Sequence, residues 1–101
     1  MKKKIFNDYV TEVSKLFDVP EDDIFSKSRS ADVVAARHML LYLCNTRGMS
    51  IGNIKEFLAE RGLKMAHSPI LYGVRAMTRK LRDDPDYRYA AKKIQSSIKI
   101  Q

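Results

Sequence analysis

The stretch "KMAHSPILYGVRAMTRK" at 64–80 combines a histidine, a serine and a proline with an apolar run and flanking basic residues. A histidine invites a catalytic or metal-binding interpretation, but His38 is the only other histidine and Cys44 the only cysteine, so no cluster suited to zinc is predicted. Two interpretations remain open for His67: a capping or packing side chain, and a contact with an anion at the start of a helix. Ser68 followed by Pro69 predicts an N-cap and first helical residue, and the backbone N–H groups of such a helix end attract phosphate.

The net charge of the chain bears on the kind of anion that it could bind. Lysine and arginine total 19 against 12 acidic residues in 101, which gives a net charge of +7 and a pI near 9.7. This balance favours a polyanionic partner such as DNA, RNA or an anionic membrane surface, although a soluble basic protein without such a partner has the same composition.

Several function classes find no support in the sequence. No G-x-x-x-x-G-K-[ST] loop is present, and no metal site or cofactor is predicted, so we expect the chain not to be an enzyme. No apolar run is long enough to span a bilayer, and the N-terminus lacks the apolar core of a secretory signal. A single cysteine excludes an internal disulfide framework.

Apolar spacing and helix-end signals predict an all-α fold of five to six helices, with no strand-like alternation. The expected helices span residues 4–17, a short turn after Pro20, residues 31–47 capped by Ser30, residues 51–61 capped by Ser50, residues 69–81, and a last helix from Asp84–Pro85 to residue 101. Gly48 and Gly62 suit the positions after two of these helices. Tyr89, Ile94 and Ile98 are expected to bury the last helix.

These elements place a helix-turn-helix at 50–81 within a single DNA-binding domain, 1–101, whose residues 1–4 form a basic end and residues 84–101 the last helix. In this motif the second helix enters the major groove of DNA with its first residues. The segments "DIFSKSRSADVVAARHMLLYLC" (23–44), "MSIGNIKEFL" (49–58) and above all "AHSPILYGVR" (66–75) resemble domain IV of the bacterial replication initiator DnaA. The resemblance covers roughly residues 5–81 and implies a Trp-repressor-like helical fold that recognises duplex DNA.

Carried over position by position, the resemblance implies a set of DNA contacts. Arg29 matches the arginine that enters the minor groove, and His67 and Ser68 match the residues that read bases. The remaining implied positions lie beside these or contact phosphates: Lys27, Ser30, Arg37, Lys64, Pro69, Tyr72 and Arg75.

This sequence departs from the family pattern in its turn and its recognition helix. An aspartate of the family is Ala66 here, its second threonine is Pro69, a basic residue after the helix arginine is Ala76, and the turn is about four residues longer. Each base contact contributes about 1–3 kcal/mol of discrimination, so we expect an altered or relaxed sequence preference.

We therefore expect a double-stranded DNA-binding protein of replication or transcription regulation, in the cytoplasm of a bacterial or phage-infected cell, as a stand-alone or mobile-element form of the domain. A protein-interaction module of the same fold, which modulates an initiator or polymerase complex without reading bases, is the alternative. An RNA or membrane-surface binder is disfavoured, because no RNA-binding signature appears and no single helix carries the basic residues on one amphipathic face.

Overall fold

The computed structural model describes residues 1–98 and is built from six α-helices, with no strand in that range. Their bounds are α1 Lys2–Phe17, α2 Glu21–Ile24, α3 Ala31–Thr46, α4 Ile51–Glu60, α5 His67–Asp83 and α6 Pro85–Ser97. The predicted all-α class is confirmed. No helix in the described part of the chain has the length and apolarity needed to cross a membrane.

Helix ends follow the local chemistry of the sequence at several places. Gly48 and Gly62 follow α3 and α4 with φ of +98° and +93°, a backbone region that costs glycine little and other residues more. The Ser50 hydroxyl accepts a 3.0 Å hydrogen bond from the N–H of Asn53 at the start of α4. Asp84 caps α6 in the same way, and Pro85 occupies the first turn. Each of these ends was predicted from residue type alone.

Two expectations are corrected by the structure, and the one for Ser30 is confirmed in position but not in its side-chain bond. Ser68 is not a cap: α5 begins at His67, and its N-cap is Ala66, whose side chain cannot form a capping bond. Ser30 occupies the N-cap of α3 but its side chain makes no capping hydrogen bond. Tyr89, expected in the core, is 71% exposed. The prediction that the last helix continues to residue 101 falls partly outside the described residues, and α6 itself ends at Ser97.

The core is organised around α3, which packs against α1 on one side and α5 on the other. Because α3 is covered on several faces, six of its side chains are completely buried: Ala36, Met39, Leu40, Leu41, Leu43 and Cys44. α5 approaches α3 closely at Gly73, where an added Cβ would lie 2.7 Å from Leu41 Cδ1. This packing fixes the orientation of α5 relative to the rest of the domain.

Candidate nucleic-acid interface

The connector between α4 and α5 is anchored at its start, so the beginning of α5 has a defined position. Leu63 is buried and donates its N–H to the carbonyl of Leu58 at 3.0 Å. The Arg61 guanidinium lies over the Phe25 ring at 4.5 Å and forms a 3.2 Å ion pair with Glu21. These contacts tie the end of α4 and the start of the connector to α2.

The first turn of α5 protrudes into solvent. Ala66, His67, Ser68 and Pro69 are all exposed, whereas Ile70 is completely buried. We call residues 66–69 the α5 tip. Within residues 1–98 the N–H groups of His67 and Ser68 have no hydrogen-bond partner, as expected of a helix start. Pro69 has no N–H, so the tip offers two backbone donors together with the imidazole and hydroxyl beside them.

One face of α5 continues from this tip as a line of exposed polar side chains. Ser68, Tyr72, Arg75 and Arg79 are all exposed, and their spacing of four, three and four residues puts them on the same face of the helix. Tyr72 is 62% exposed, so it does not belong to the core. We call these four residues the α5 stripe. The buried face of the helix comprises Ile70, Gly73, Val74, Met77 and Leu81.

The surface around the α5 tip and stripe is cationic. Residues 61–82 contain six lysines and arginines and no acidic residue. Among these, Lys80 approaches Asp84 at 4.0 Å and Arg82 approaches Asp83 at 3.4 Å, while Arg61 is paired as described above. The other three, namely Lys64, Arg75 and Arg79, form no ion pair with any described residue.

A second exposed basic segment precedes α3. Lys27, Arg29 and Ser30 are exposed, and neither basic side chain is ion-paired within residues 1–98. Arg29 lines a groove between α3 and α5 together with Lys80, and the groove also contains small residues, Ala31, Ala35 and Ala76. Arg29 therefore lies beside the second half of α5 and not beside its tip.

Arg37 has a role that the sequence did not reveal. Its Nε donates to the carbonyl of Ile24 at 2.8 Å, and its Nη2 donates to the carbonyls of Ser26 and Ser28 at 2.8 and 3.4 Å. The half-buried guanidinium thus holds the segment that carries Lys27 and Arg29 against α3. The Nε and Nη2 donors of Arg37 are therefore occupied by backbone carbonyls, and the phosphate contact implied for Arg37 by the family resemblance stays a prediction.

His38 is half-buried between α3 and α5. Its ring meets Tyr72 edge-on at a centroid distance of 6.0 Å, and it lies next to the point where Gly73 approaches α3. Burial, and secondarily the charge of Arg37, lowers the pKa of His38, which favours the neutral imidazole. Through its contact with Tyr72, His38 packs against one residue of the α5 stripe.

The described residues contain no group of three or more His, Cys, Asp or Glu side chains that could hold a metal ion. Cys44 lies in the core, where burial raises the pKa of its thiol. His67 is far along the chain from His38, exposed, and without a side-chain hydrogen bond among residues 1–98. What the tip and stripe can offer is hydrogen-bond donors and positive charge to an extended anion.

Comparison with known proteins agrees with this arrangement. The family model described as the bacterial dnaA protein helix-turn-helix matches residues 8–77. The chain belongs to this family. The resemblance inferred from the sequence is thereby confirmed, and the match includes α4, the connector and the first eleven residues of α5.

Curated relatives carry the same domain within longer proteins. The chain is 26% identical over 103 residues to the chromosomal replication initiator protein DnaA of Nautilia profundicola, covering 99% of this chain and 23% of the relative. The DnaA proteins of Porphyromonas gingivalis and Lachnoclostridium phytofermentans are 28% and 27% identical over 87 and 89 residues, covering 85% and 86% of this chain and 18% and 19% of theirs. The chain thus spans about a fifth of these relatives.

Apart from Arg37, the residues that the family resemblance implies as DNA contacts lie in two exposed groups in the structure. Lys64, His67, Ser68, Pro69, Tyr72 and Arg75 lie on or just before α5, and Lys27, Arg29 and Ser30 lie before α3. Arg79 is a basic residue of α5 that was not among the predicted DNA contacts, although its four-residue spacing from Arg75 places the two on one face.

Proposed function

We propose that this domain binds double-stranded DNA, with the α5 tip in the major groove and Arg29 in the adjacent minor groove. The observation that supports this most strongly is the exposed α5 tip, which continues into a face without acidic residues. An α-helix with its side chains is about 10–12 Å across, and the major groove is about 12 Å wide. A helix that protrudes in this way can therefore enter the groove.

Two residues of the tip, His67 and Ser68, have roles that follow from their chemistry. The His67 imidazole and the Ser68 hydroxyl can donate to and accept from base edges, and the two unpaired N–H groups suit a phosphate oxygen. Lys64 lies just before the tip, Arg75 lies on the α5 stripe and Lys27 precedes α3; these three exposed cations are proposed to contact phosphates. Tyr72 is exposed beside Arg75 and is proposed to contact sugar or base.

The position of Arg29 suits the neighbouring minor groove. Arg29 shares a groove with Lys80, which lies twelve residues beyond Ser68, or about 18 Å along the helix at 1.5 Å per residue. Half of the ~34 Å helical repeat of DNA is ~17 Å, so a major and a minor groove can be reached together. A narrow minor groove concentrates negative potential and attracts guanidinium. Arg37 contributes indirectly, because it holds the segment that presents Arg29.

Two residues of the tip limit how much sequence it reads. Ala66 has no side-chain hydrogen-bonding group, and Pro69 lacks both a hydroxyl and an N–H. Each direct contact that is missing removes about 1–3 kcal/mol of discrimination between bases. We propose a preference that is weaker than, or different from, that of a tip with aspartate and threonine at these positions.

The named relatives are chromosomal replication initiators, and we propose that the domain acts in replication initiation or in regulation of transcription. Its proposed partner is duplex DNA, and a replication or transcription protein is proposed only as an additional partner. Nothing in the proposal requires a cofactor or chemical step.

Binding to a labelled random-sequence duplex, measured by fluorescence anisotropy across salt concentrations, tests this proposal. The four cations Lys27, Arg29, Lys64 and Arg75 predict a slope at least as steep as about −3.6 in log K against log salt, since each contact contributes about 0.9. Affinity that stays weak at low salt, with a flat slope, would contradict DNA binding and favour the protein-interaction alternative.

Two variants then separate residues that contribute affinity for any duplex from residues that discriminate between base sequences. Arg29→Ala is expected to weaken binding to all duplexes, whereas His67→Ala is expected mainly to reduce the difference between a selected and a random sequence. Lys93→Ala, on an exposed part of α6, is the control for loss of one positive charge. Equal affinity of all three variants and the wild type would remove the proposed roles of both residues.

A further inference from the structure

The last residue of the α5 stripe, Arg79, lies beyond residues 8–77, the part of the chain that the family model matches. We infer that Arg79 binds a backbone phosphate of the duplex, at the edge of the major groove that the α5 tip enters. The inference rests on the proposed function and extends the interface by one helical turn past Arg75. It adds a contact that the family resemblance does not supply.

Distance along the helix places Arg79 outside the groove. Arg79 follows Ser68 by eleven residues, which corresponds to about 16 Å at 1.5 Å per residue. The major groove is about 12 Å wide. When the tip faces base edges, the helix at Arg79 has passed the groove edge, and the nearest part of the duplex is sugar and phosphate. Since Arg79 shares the face of Ser68 and Arg75, its side chain points to the same side as theirs.

Among the described cations at 79–82, Arg79 is the one without an acidic or aromatic neighbour to compete with a phosphate. Lys80 lies over the Tyr87 ring at 5.1 Å and near Asp84, and Arg82 lies near Asp83. Arg79 is exposed and forms no ion pair or hydrogen bond with any residue in 1–98. Binding a phosphate through Arg79 therefore breaks no existing contact. The planar guanidinium can donate two parallel hydrogen bonds to one phosphate group.

The salt dependence of duplex binding tests the inference directly. One lost phosphate contact changes the log–log slope by about 0.9, which corresponds to a Kd about 8-fold higher at 0.1 M salt. Arg79→Gln is expected to show both changes on a random duplex. Arg79→Lys keeps the charge and is expected to keep the slope. Both substitutions are at an exposed position, so thermal denaturation should show an unchanged fold.

Lys93→Gln is the matched control, because it removes the same charge from α6, where Lys93 lines a groove facing α1. Its slope should equal that of the wild type, with a Kd within about twofold, since distant charges are screened beyond ~10 Å at this salt. If Arg79→Gln and Lys93→Gln behave alike while the wild type binds with a steep slope, the inference about Arg79 is wrong and the proposed function stands. If the wild type does not bind duplex at all, both are wrong.

Discussion

Replacing Arg37 by lysine should disturb both the stability of the domain and its proposed DNA contacts. The guanidinium makes three hydrogen bonds to the carbonyls of Ile24, Ser26 and Ser28. A lysine ammonium keeps the charge, but it cannot reproduce the planar arrangement of donors. With two of the three bonds lost, at about 1–1.5 kcal/mol each for this partly exposed group, we expect a loss of about 2–3 kcal/mol.

Thermal denaturation followed by circular dichroism measures this loss. For a domain of this size, 1 kcal/mol shifts Tm by about 4–8 °C, so Arg37→Lys should lower Tm by roughly 10–20 °C. Arg75→Lys is the matched control: Arg75 is exposed and unpaired among the described residues, and its Tm should change by less than about 3 °C.

Duplex binding below the Tm then separates two roles for Arg37. If Arg37 positions the segment carrying Lys27 and Arg29, Arg37→Lys weakens binding although no charge is lost. If Arg37 instead serves as a phosphate contact, the lysine retains both affinity and salt slope. A variant with wild-type Tm and wild-type binding would refute the positioning role.

The close packing at Gly73, the half-buried imidazole of His38 and the buried thiol of Cys44 give three further predictions. Gly73→Ala should destabilise the domain by about 1 kcal/mol, because the added Cβ would lie 2.7 Å from Leu41 Cδ1 and the overpacking outweighs the gain in helix propensity. Gly52→Ala, with room for its Cβ, should not destabilise the domain, and urea denaturation compares the two variants. Burial, and secondarily the adjacent arginine, lowers the pKa of His38, so below its ordinary value near 6.5 the unfolded chain binds more protons. Stability should therefore fall as the pH falls from 6.5 toward the pKa of the folded state, and it should fall less in His38→Gln; an equal fall in both would assign the effect to other groups. The Cys44 thiol should react with an aromatic disulfide reagent only as the protein unfolds, and fast labelling under native conditions would contradict its burial.

Helix ends were predictable where a residue's own side chain or backbone determines them. Gly48 and Gly62 end helices because φ near +95° favours glycine, and Ser50 and Asp84 cap helices through their side chains. The start of α5 was not predictable in this way, since its N-cap is Ala66 and carries no capping group. Ser68 and Pro69 have the pattern of a helix start, but the helix has already begun at His67.

Features that depend on tertiary contacts were beyond the sequence. Arg37 bonds to carbonyls nine to thirteen residues away, and a basic residue at that position in a cationic chain is equally compatible with phosphate binding. Tyr89 lies on a helix whose two faces both contain apolar residues, so periodicity did not identify the exposed one. The family resemblance identified the candidate DNA contacts, but it implied none at Arg79, which lies past residue 77, where the match to the family model ends.

Cleavage of bound DNA from a tethered iron chelate tests the position of the α5 tip most directly. The chelate is attached to a cysteine introduced by Ser68→Cys, or by Lys93→Cys as the control, while the native thiol at Cys44 is buried and unreactive. With the tip in the major groove, the chelate at position 68 should cut both strands of a bound duplex within a few base pairs, and the chelate at position 93 should not. Equal cutting from both positions, or cutting only from position 93, would contradict entry of the tip into the groove.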